Sequence, residues 1–335
     1  MREMQRAPTI RDVASAAGVA ESTVSRAMTN PGRVHHVTRE RILRIAAELK
    51  YVPSAQARAM SVGRTSSVGL MIADITNPFY FGIIRGTQSQ LKGAGLTQLL
   101  VDTEESRAIE ASTLSRLRNS VDGVVLASSR LTNDELAAAA RQMPLVAINR
   151  QVNGVASVII DSATGVSQAL EHLVSLGHQR IAFISGPDAS WSNQIRWSAA
   201  TSTAERLGVK LGRVGPFVPQ IASGGAAADA VVNDGATACI AFNDLLAIGA
   251  MHRFAERGMN VPKDMSIVGC DDIFGADFCN PPLTTITANS EAAGRAAISL
   301  LLEEIAQPKS PVSYTTIPTH LTIRASTGRA PVASR

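Results

Sequence analysis

Apolar residues recur at helical spacing as soon as the chain passes Thr9. Ile10, Val13, Ala14 and Ala17 fall at i, i+3, i+4 and i+7, which gives one apolar face. Thr9 and Asp12 fit a capping box at its start. Gly18 can take the left-handed conformation that ends such a helix, with Val19 available to pack back. A second short helix is predicted over about 20–28, with Val24, Ala27 and Met28 inward and Glu21, Ser22, Ser25 and Arg26 outward. Asn30-Pro31-Gly32 breaks it. A third helix carries Ile42, Leu43, Ile45, Ala46 and Leu49 as its buried stripe and ends near Lys50.

From Ser67 the period changes. Short apolar runs at 68–72, 97–101, 123–126, 145–148, 158–160, 181–184, 239–242 and 266–269 predict buried strands. Helical periods, such as 166–176 and 245–257, lie between them. Strand and helix in alternation imply parallel sheets covered on both faces. About 265 residues of this pattern suit two doubly wound lobes rather than one. The predicted fold is an α/β core of two doubly wound parallel-sheet lobes, preceded by a small all-α head.

Composition narrows the class. With 335 residues, 45% apolar and 18% charged, the chain can bury sizeable cores, which excludes a disordered class. Cys239, Cys270 and Cys279 make neither a disulfide framework nor a CxxC zinc pair, so reduced thiols in the cytoplasm are expected. The start, Met-Arg-Glu-Met-Gln-Arg, leads into no apolar segment, and no run of about 18 apolar residues occurs, so neither secretion nor a membrane span is expected. The net charge of +4 informs only when divided. Residues 1–64 hold 11 Lys/Arg against 5 Asp/Glu, while the remainder holds 21 against 23. A basic head on a nearly neutral body fits the electrostatic footprint of a nucleic-acid binder, and fits an ordinary solvated basic arm as well.

Two short helices joined by a Gly turn and buttressed by a third have the layout of a helix-turn-helix, whose second helix enters the major groove. An ordinary three-helix bundle would show the same periodicity, its polar face without consequence; the charge excess and the next segment weigh against it. In Tyr51-Val-Pro-Ser-Ala-Gln-Ala-Arg-Ala-Met60, Pro53 ends the preceding helix and Ser54 can cap a new one. The new helix is too short to be stable alone and has no amphipathic stripe, so it needs a partner to order it. Residues 61–67 read as linker.

These residues resemble a known family. The run from Thr9 to Arg26 is similar to the head of lactose/galactose-repressor regulators, and the run from Tyr51 to Met60 to that family's hinge helix. The resemblance implies a helix-turn-helix head over 1–52, a hinge and linker over 53–66, and a ligand-binding and dimerisation core over 67–335. It implies that Glu21, Ser22 and Arg26 face bases, that Thr9, Thr23, Ser25 and Tyr51 lean on phosphates, and that Ser54, Ala57, Arg58 and Met60 act from the hinge. Met60, where the family most often has Leu, would be the apolar wedge that unstacks a base step in the minor groove. Two departures stand out. Ala20 replaces a usual capping Ser, and Val34-His35-His36-Val37 replaces the usual Ser start of the third helix. That His pair fits a metal or pH device, or a solvated turn beside phosphate.

Six further segments, in family order, extend the resemblance to a periplasmic-binding-protein-like core: 74–80, 171–178, 184–187, 242–244, 268–272 and 282–286. The family's chain crosses between lobes three times. Lobe 1 is thus expected over about 67–162 plus 290–320, and lobe 2 over about 163–289 plus the C-terminal end. The helix bearing Ala292, Ala293, Ala296, Ala297 and Leu300 would rejoin lobe 1.

In α/β sheets a ligand sits outside the carboxyl ends of strands, which between two lobes means the cleft. Asn77, Phe79 and Tyr80 follow the first strand, and Trp191, Ser192 and Arg196 follow the run at 181–184. Phe217, Asn243 and Asp271 follow later runs. On the family pattern Arg196 and Asp271 clamp a small polar ligand, Phe79, Tyr80 and Phe217 wall it, and Trp191 adds a further wall. Taken alone, Arg196 also fits an interlobe salt bridge, Asp271 a helix cap and Phe79 core. A forked guanidinium, a carboxylate, amides and flat aromatic faces suit sugars, polyols and nucleosides.

The expected function is a ligand-responsive, sequence-specific DNA-binding regulator of the repressor type, cytoplasmic and nucleoid-associated. One recognition helix reads one half-site, so a C2 dimer on a pseudopalindrome is expected. The tail 328–335 holds no heptads, so no tetramer is expected. No cofactor, metal or membrane partner is implied. A transporter's solute-binding protein shares the lobed core but would carry a leader and no head. An enzyme of this class would show a P-loop, GxGxxG after a strand, GxSxG or HExxH, and none occurs.

Overall fold

The structure, a computed structural model, describes residues 8–29, 31–51, 64–307 and 313–331. The chain divides between Ser66 and Ser67 into two compact units, the first also taking Ser120–Asp122. In the first unit α1 (Ile10–Ala17), α2 (Glu21–Thr29) and α3 (His36–Glu48) enclose a small core built on Val13, Ala17, Val24, Ala27, Ile42 and Ala46. The Asp12 carboxylate accepts from the Thr9 N–H and hydroxyl at 2.7 and 2.8 Å, so α1 opens with its cap residue held. Gly18, at φ 63, ends α1 in the left-handed region, and the Val19 N–H donates back to the Ala14 carbonyl. Leu43 and Leu49, predicted in the buried stripe, are exposed instead. Ile42 and Ala46 fill the face toward the other helices, Leu43 lies about 100° round from Ile42, and Leu49 is the cap residue beyond α3.

The second unit runs β1 (Ser67–Ile72), α4 (Phe79–Gly93), β2 (Thr97–Asp102), α5 (Arg107–Leu117), β3 (Gly123–Ala127), α6 (Asn133–Ala140), β4 (Leu145–Ile148) and β5 (Ala156–Ile160). Then come α7 (Ser162–Ser175), β6 (Arg180–Ile184), α8 (Trp191–Leu207), β7 (Lys210–Val214), α9 (Gly224–Asp234), β8 (Ala238–Ala241), α10 (Asp244–Glu256) and β9 (Ser266–Asp271). It closes with β10 (Thr284–Ala288), α11 (Ser290–Ala306), β11 (Tyr314–Ile317) and β12 (Thr319–Thr322). Two six-stranded sheets result, in the orders β11-β5-β4-β3-β1-β2 and β12-β10-β9-β8-β6-β7. All the predicted runs overlap these strands. One pairing, β10 with β12, is antiparallel. β2 is not buried as predicted: it sits at the sheet edge and exposes Leu99 and Leu100.

The chain passes from one sheet to the other three times, each time through a single residue: Asp161, Asn289 and Pro318. Asp161 and Asn289 cap the helices that follow, accepting from the Thr164 and Ala292 N–H groups at 3.2 and 2.9 Å. The Thr319 hydroxyl ties the third crossing to the first by donating to the Asp161 carbonyl at 2.6 Å. Thr319 and His320, expected with lobe 1, lie in β12 of the second sheet. α11 returns to the first sheet and packs on α4 so closely that a Cβ on Gly86 would lie 2.1 Å from the Glu291 carbonyl oxygen.

Candidate functional site

In each sheet the strand order reverses once, between β1 and β3 in the first and between β6 and β8 in the second. Ligands bind beyond the carboxyl ends of strands at such switch points. Asn77 (after β1), Ser128 (after β3), Phe242 and Asn243 (after β8) and Asp271 (ending β9) line one cavity, so the two switch points share a cleft. Its free volume is about 30 Å³, the room of about one water; a larger ligand requires the lobes to part.

Arg196 and Asp271 are its polar centre. Both side chains are buried. Arg196 donates through Nη1 to the Phe242 carbonyl and through Nη2 to Asp271 Oδ1 at 3.2 Å. The guanidinium lies over the Phe242 ring at 5.0 Å. Its Nε has no hydrogen-bond partner among the described residues, which leaves one buried donor for something else. Burial, only partly offset by Arg196, pushes the Asp271 carboxyl up to about 6. Beneath it Asp244 accepts from the Thr285 hydroxyl at 2.6 Å and the Ile273 N–H at 2.9 Å. Burial, reinforced by the charge of Asp271, pushes Asp244 up to about 7. Only glycine fits at 269, where a Cβ would lie 2.0 Å from Asp244 Oδ1.

The other candidates divide. Asn77 lines the cavity while its Oδ1 accepts from the Phe79 N–H at 3.0 Å. Phe79 and Tyr80 pack edge to face, centroids 5.1 Å apart, and each belongs to both the hydrophobic core and the cavity wall. Burial pushes the Tyr80 hydroxyl up. Ser192 lines the cavity, and so does Asn243, although its amide is engaged in capping α10 at Leu246 and in donating to the Pro219 carbonyl. Trp191, the first residue of α8, and Phe217, packed on the core, are not among the lining residues.

Glu105, Ser128, Arg130 and Asn149 also line the cavity, though none was a sequence candidate. They follow β2, β3 and β4, so the carboxyl-end rule applied to every strand would have found them. Glu105, Ser128, Asn149 and Asp271 take φ values of 56, 60, 55 and 117. Non-glycine residues held there carry strain that clusters at ligand clamps.

In the head, Glu21, Ser22 and Arg26 are exposed on α2, whereas Thr9, Thr23 and Ser25 are half-buried. Tyr51 packs partly against the head core. Arg11 pairs with Glu21 at 3.0 Å. His35 and His36 lie with ring centroids 4.5 Å apart, and no third metal-ligating side chain joins them among the described residues. Ser54, Ala57, Arg58 and Met60 lie outside the described residues. Among the described residues no helix is long and apolar enough to cross a membrane.

Residues 9–54 match the family described as bacterial regulatory proteins, lacI family, and residues 170–327 match the periplasmic binding protein-like domain. The HTH-type transcriptional regulator DegA of Bacillus subtilis is 33% identical over 290 residues, 83% of this chain and 86% of DegA. The chain belongs to the LacI family. Another relative, the HTH-type transcriptional repressor CytR of Escherichia coli, is 30% identical over 91% of this chain and 92% of CytR. The solved lac repressor dimer bound to operator and the anti-inducer ONPF aligns with a TM-score of 0.82 at 26% identity, covering 96% of this chain and 100% of that one. As a LacI-family protein, this chain is a DNA-binding transcriptional regulator with an effector-binding core, not an enzyme.

Proposed function

We propose that this protein is a repressor that binds a pseudopalindromic operator as a homodimer, with affinity set by a sugar, polyol or nucleoside in the interlobe cleft. The observation that carries the reading is the Arg196–Asp271 pair, buried in a cavity walled by both sheets, with Arg196 Nε unpartnered among the described residues. Relatives support the ligand class: a LacI family regulator from Enterococcus faecium was solved with bound ribose, and CelR with cellobiose. A ligand that prefers one lobe orientation shifts the population toward it, and the hinge, with Met60 as groove wedge, carries that change to the DNA. The setting is the cytoplasm, where the operator is. Selection of duplexes from a randomised library by the full chain, then operator titration with ribose, polyols and nucleosides, tests it. A selected site without two-fold symmetry, or an operator affinity that no member of the panel changes, defeats the reading.

The head makes its own prediction. Arg26 is exposed on α2, as are Glu21 and Ser22. Arg26→Ala is expected to relax specificity at one base position by roughly 1–3 kcal/mol. Equal weakening on every sequence would make Arg26 a phosphate contact. For the dimer, lobe 2 leaves Phe274 and Phe278 in edge contact at 5.1 Å yet 78% and 65% exposed, apolar area suited to a partner surface. Phe274→Ser with Phe278→Ser should raise the dimer dissociation constant roughly tenfold or more in sedimentation equilibrium; an unchanged constant removes these residues from the interface.

A further inference from the structure

Opposite Arg196 and Asp271, the first lobe presents a second ion pair to the same cavity. Arg130, 8% exposed, reaches from the loop after β3 to Glu105 in the loop after β2. Its Nε and Nη2 lie 2.6 and 2.5 Å from Glu105 Oε2, and its Nη1 donates to the Ser128 carbonyl at 2.8 Å. The loop is held from below, since Glu110 accepts from the Arg130 N–H at 2.8 Å. Glu105 and Ser128 both take positive φ, so the backbone bends to bring these groups together.

The two pairs fix the charge of the cleft. Each guanidinium already faces one carboxylate. The Nε–Nη2 edge is the edge on which an arginine takes a phosphate or carboxylate ligand bidentately, and on Arg130 Glu105 occupies it. An anionic ligand would have to displace half-buried Glu105 or buried Asp271 and leave a carboxylate without its partner, a penalty that is largest at Asp271. An uncharged ligand with several hydroxyls leaves both pairs intact and uses the remaining donors and acceptors, Arg196 Nε among them.

We propose that Arg130 and Glu105 form the first-lobe half of the effector site and select an uncharged polyhydroxyl effector over phosphorylated or acidic analogues. This rests on the cleft being the effector site. Closure on such a ligand then joins two charged pairs, one from each lobe, through a neutral molecule.

Inorganic phosphate is the probe, with the full-length protein and its variants in calorimetric titration and thermal unfolding. The basic head is common to all variants, so the readout is the difference between them. Glu105→Gln should bind phosphate roughly tenfold or more tighter than the parent protein, and Glu105→Gln/Arg130→Gln should lose that gain. Asp271→Asn, which frees Arg196 in the same way, is the second variant should Glu105→Gln not fold. Two results overturn the proposal: phosphate binding by the unaltered protein that Arg130→Gln abolishes, or folded Glu105→Gln and Asp271→Asn proteins that gain none. A separate comparison of D-ribose with D-ribose 5-phosphate must not favour the phosphate ester. The operator titration reports independently on the cleft as effector site: an operator affinity that no member of the panel changes, with the phosphate gain of the variants intact, defeats that reading and leaves the charge selection standing.

Discussion

Arg196→Met is expected to abolish effector control of operator binding while sparing effector-free operator affinity, and to lower core stability by about 3–5 kcal/mol. The magnitude follows from burial. The two side chains of the pair are 6% and 8% exposed, so removing the cation strands Asp271 in a low-dielectric site, with Asp244 close by. Both carboxyls are raised in the folded protein, to about 6 and about 7, chiefly by burial. A carboxyl raised on folding contributes stability that is complete below its unfolded value of about 3.8 and is lost as pH rises through the folded value. Without Arg196 these values rise further. The deficit of Arg196→Met should therefore be larger at pH 8 than at pH 5 in chemical denaturation. Arg196→Met/Asp271→Leu should recover most of the stability without the response. A deficit that is equal at both pH values would assign the loss to packing instead.

What the sequence made legible was local. The α1 turn could be read because Thr9, Asp12 and Gly18 act within a few residues of one another, and their contacts are present as expected. The strands could be read because both faces of a parallel sheet are covered and their residues are apolar throughout. Periodicity does not say which flank of a helix gains a partner, so Leu43 was assigned to the core although it is exposed. Arg130 and Glu105 were illegible for a different reason. They meet because β2 and β3 flank β1 in the sheet, an adjacency between segments 25 residues apart that no local pattern encodes. Trp191 and Phe217 follow strands as the rule demands, yet neither is among the residues lining the cavity. Arg196 and Asp271, 75 residues apart, were paired through the family resemblance, not through spacing.

His178→Ala is expected to cost about 3–5 kcal/mol, from a residue whose role no sequence pattern disclosed. His178 is completely buried just before β6. Its Nδ1 lies 2.8 Å from the Thr237 hydroxyl, and its Nε2 lies 3.0 Å from the Ser266 hydroxyl and 3.1 Å from the Gly328 carbonyl. A carbonyl can only accept, so Nε2 carries the proton and Nδ1 accepts from Thr237. One ring thus joins the starts of β6, β8 and β9 to the C-terminal segment. That segment is further held by Gly328 donating to Ser266 and Ala330 donating to the Leu176 carbonyl. Alanine leaves these partners buried without the ring, and each orphaned group costs about 1–3 kcal/mol. Burial lowers the His178 pKa below its usual 6.5, so the neutral ring is the one the fold holds. Its contribution is complete above the unfolded value of 6.5 and is lost as pH falls below it toward the lowered folded value. The raised carboxyls of Asp271 and Asp244 act in the opposite direction over the same pH range, so the check is a difference: between pH 7.5 and 5.5 His178→Ala should lose less stability, or gain more, than the unaltered protein. Equal changes in the two proteins would place the proton uptake elsewhere, with His172, also lowered by burial, the first group to examine.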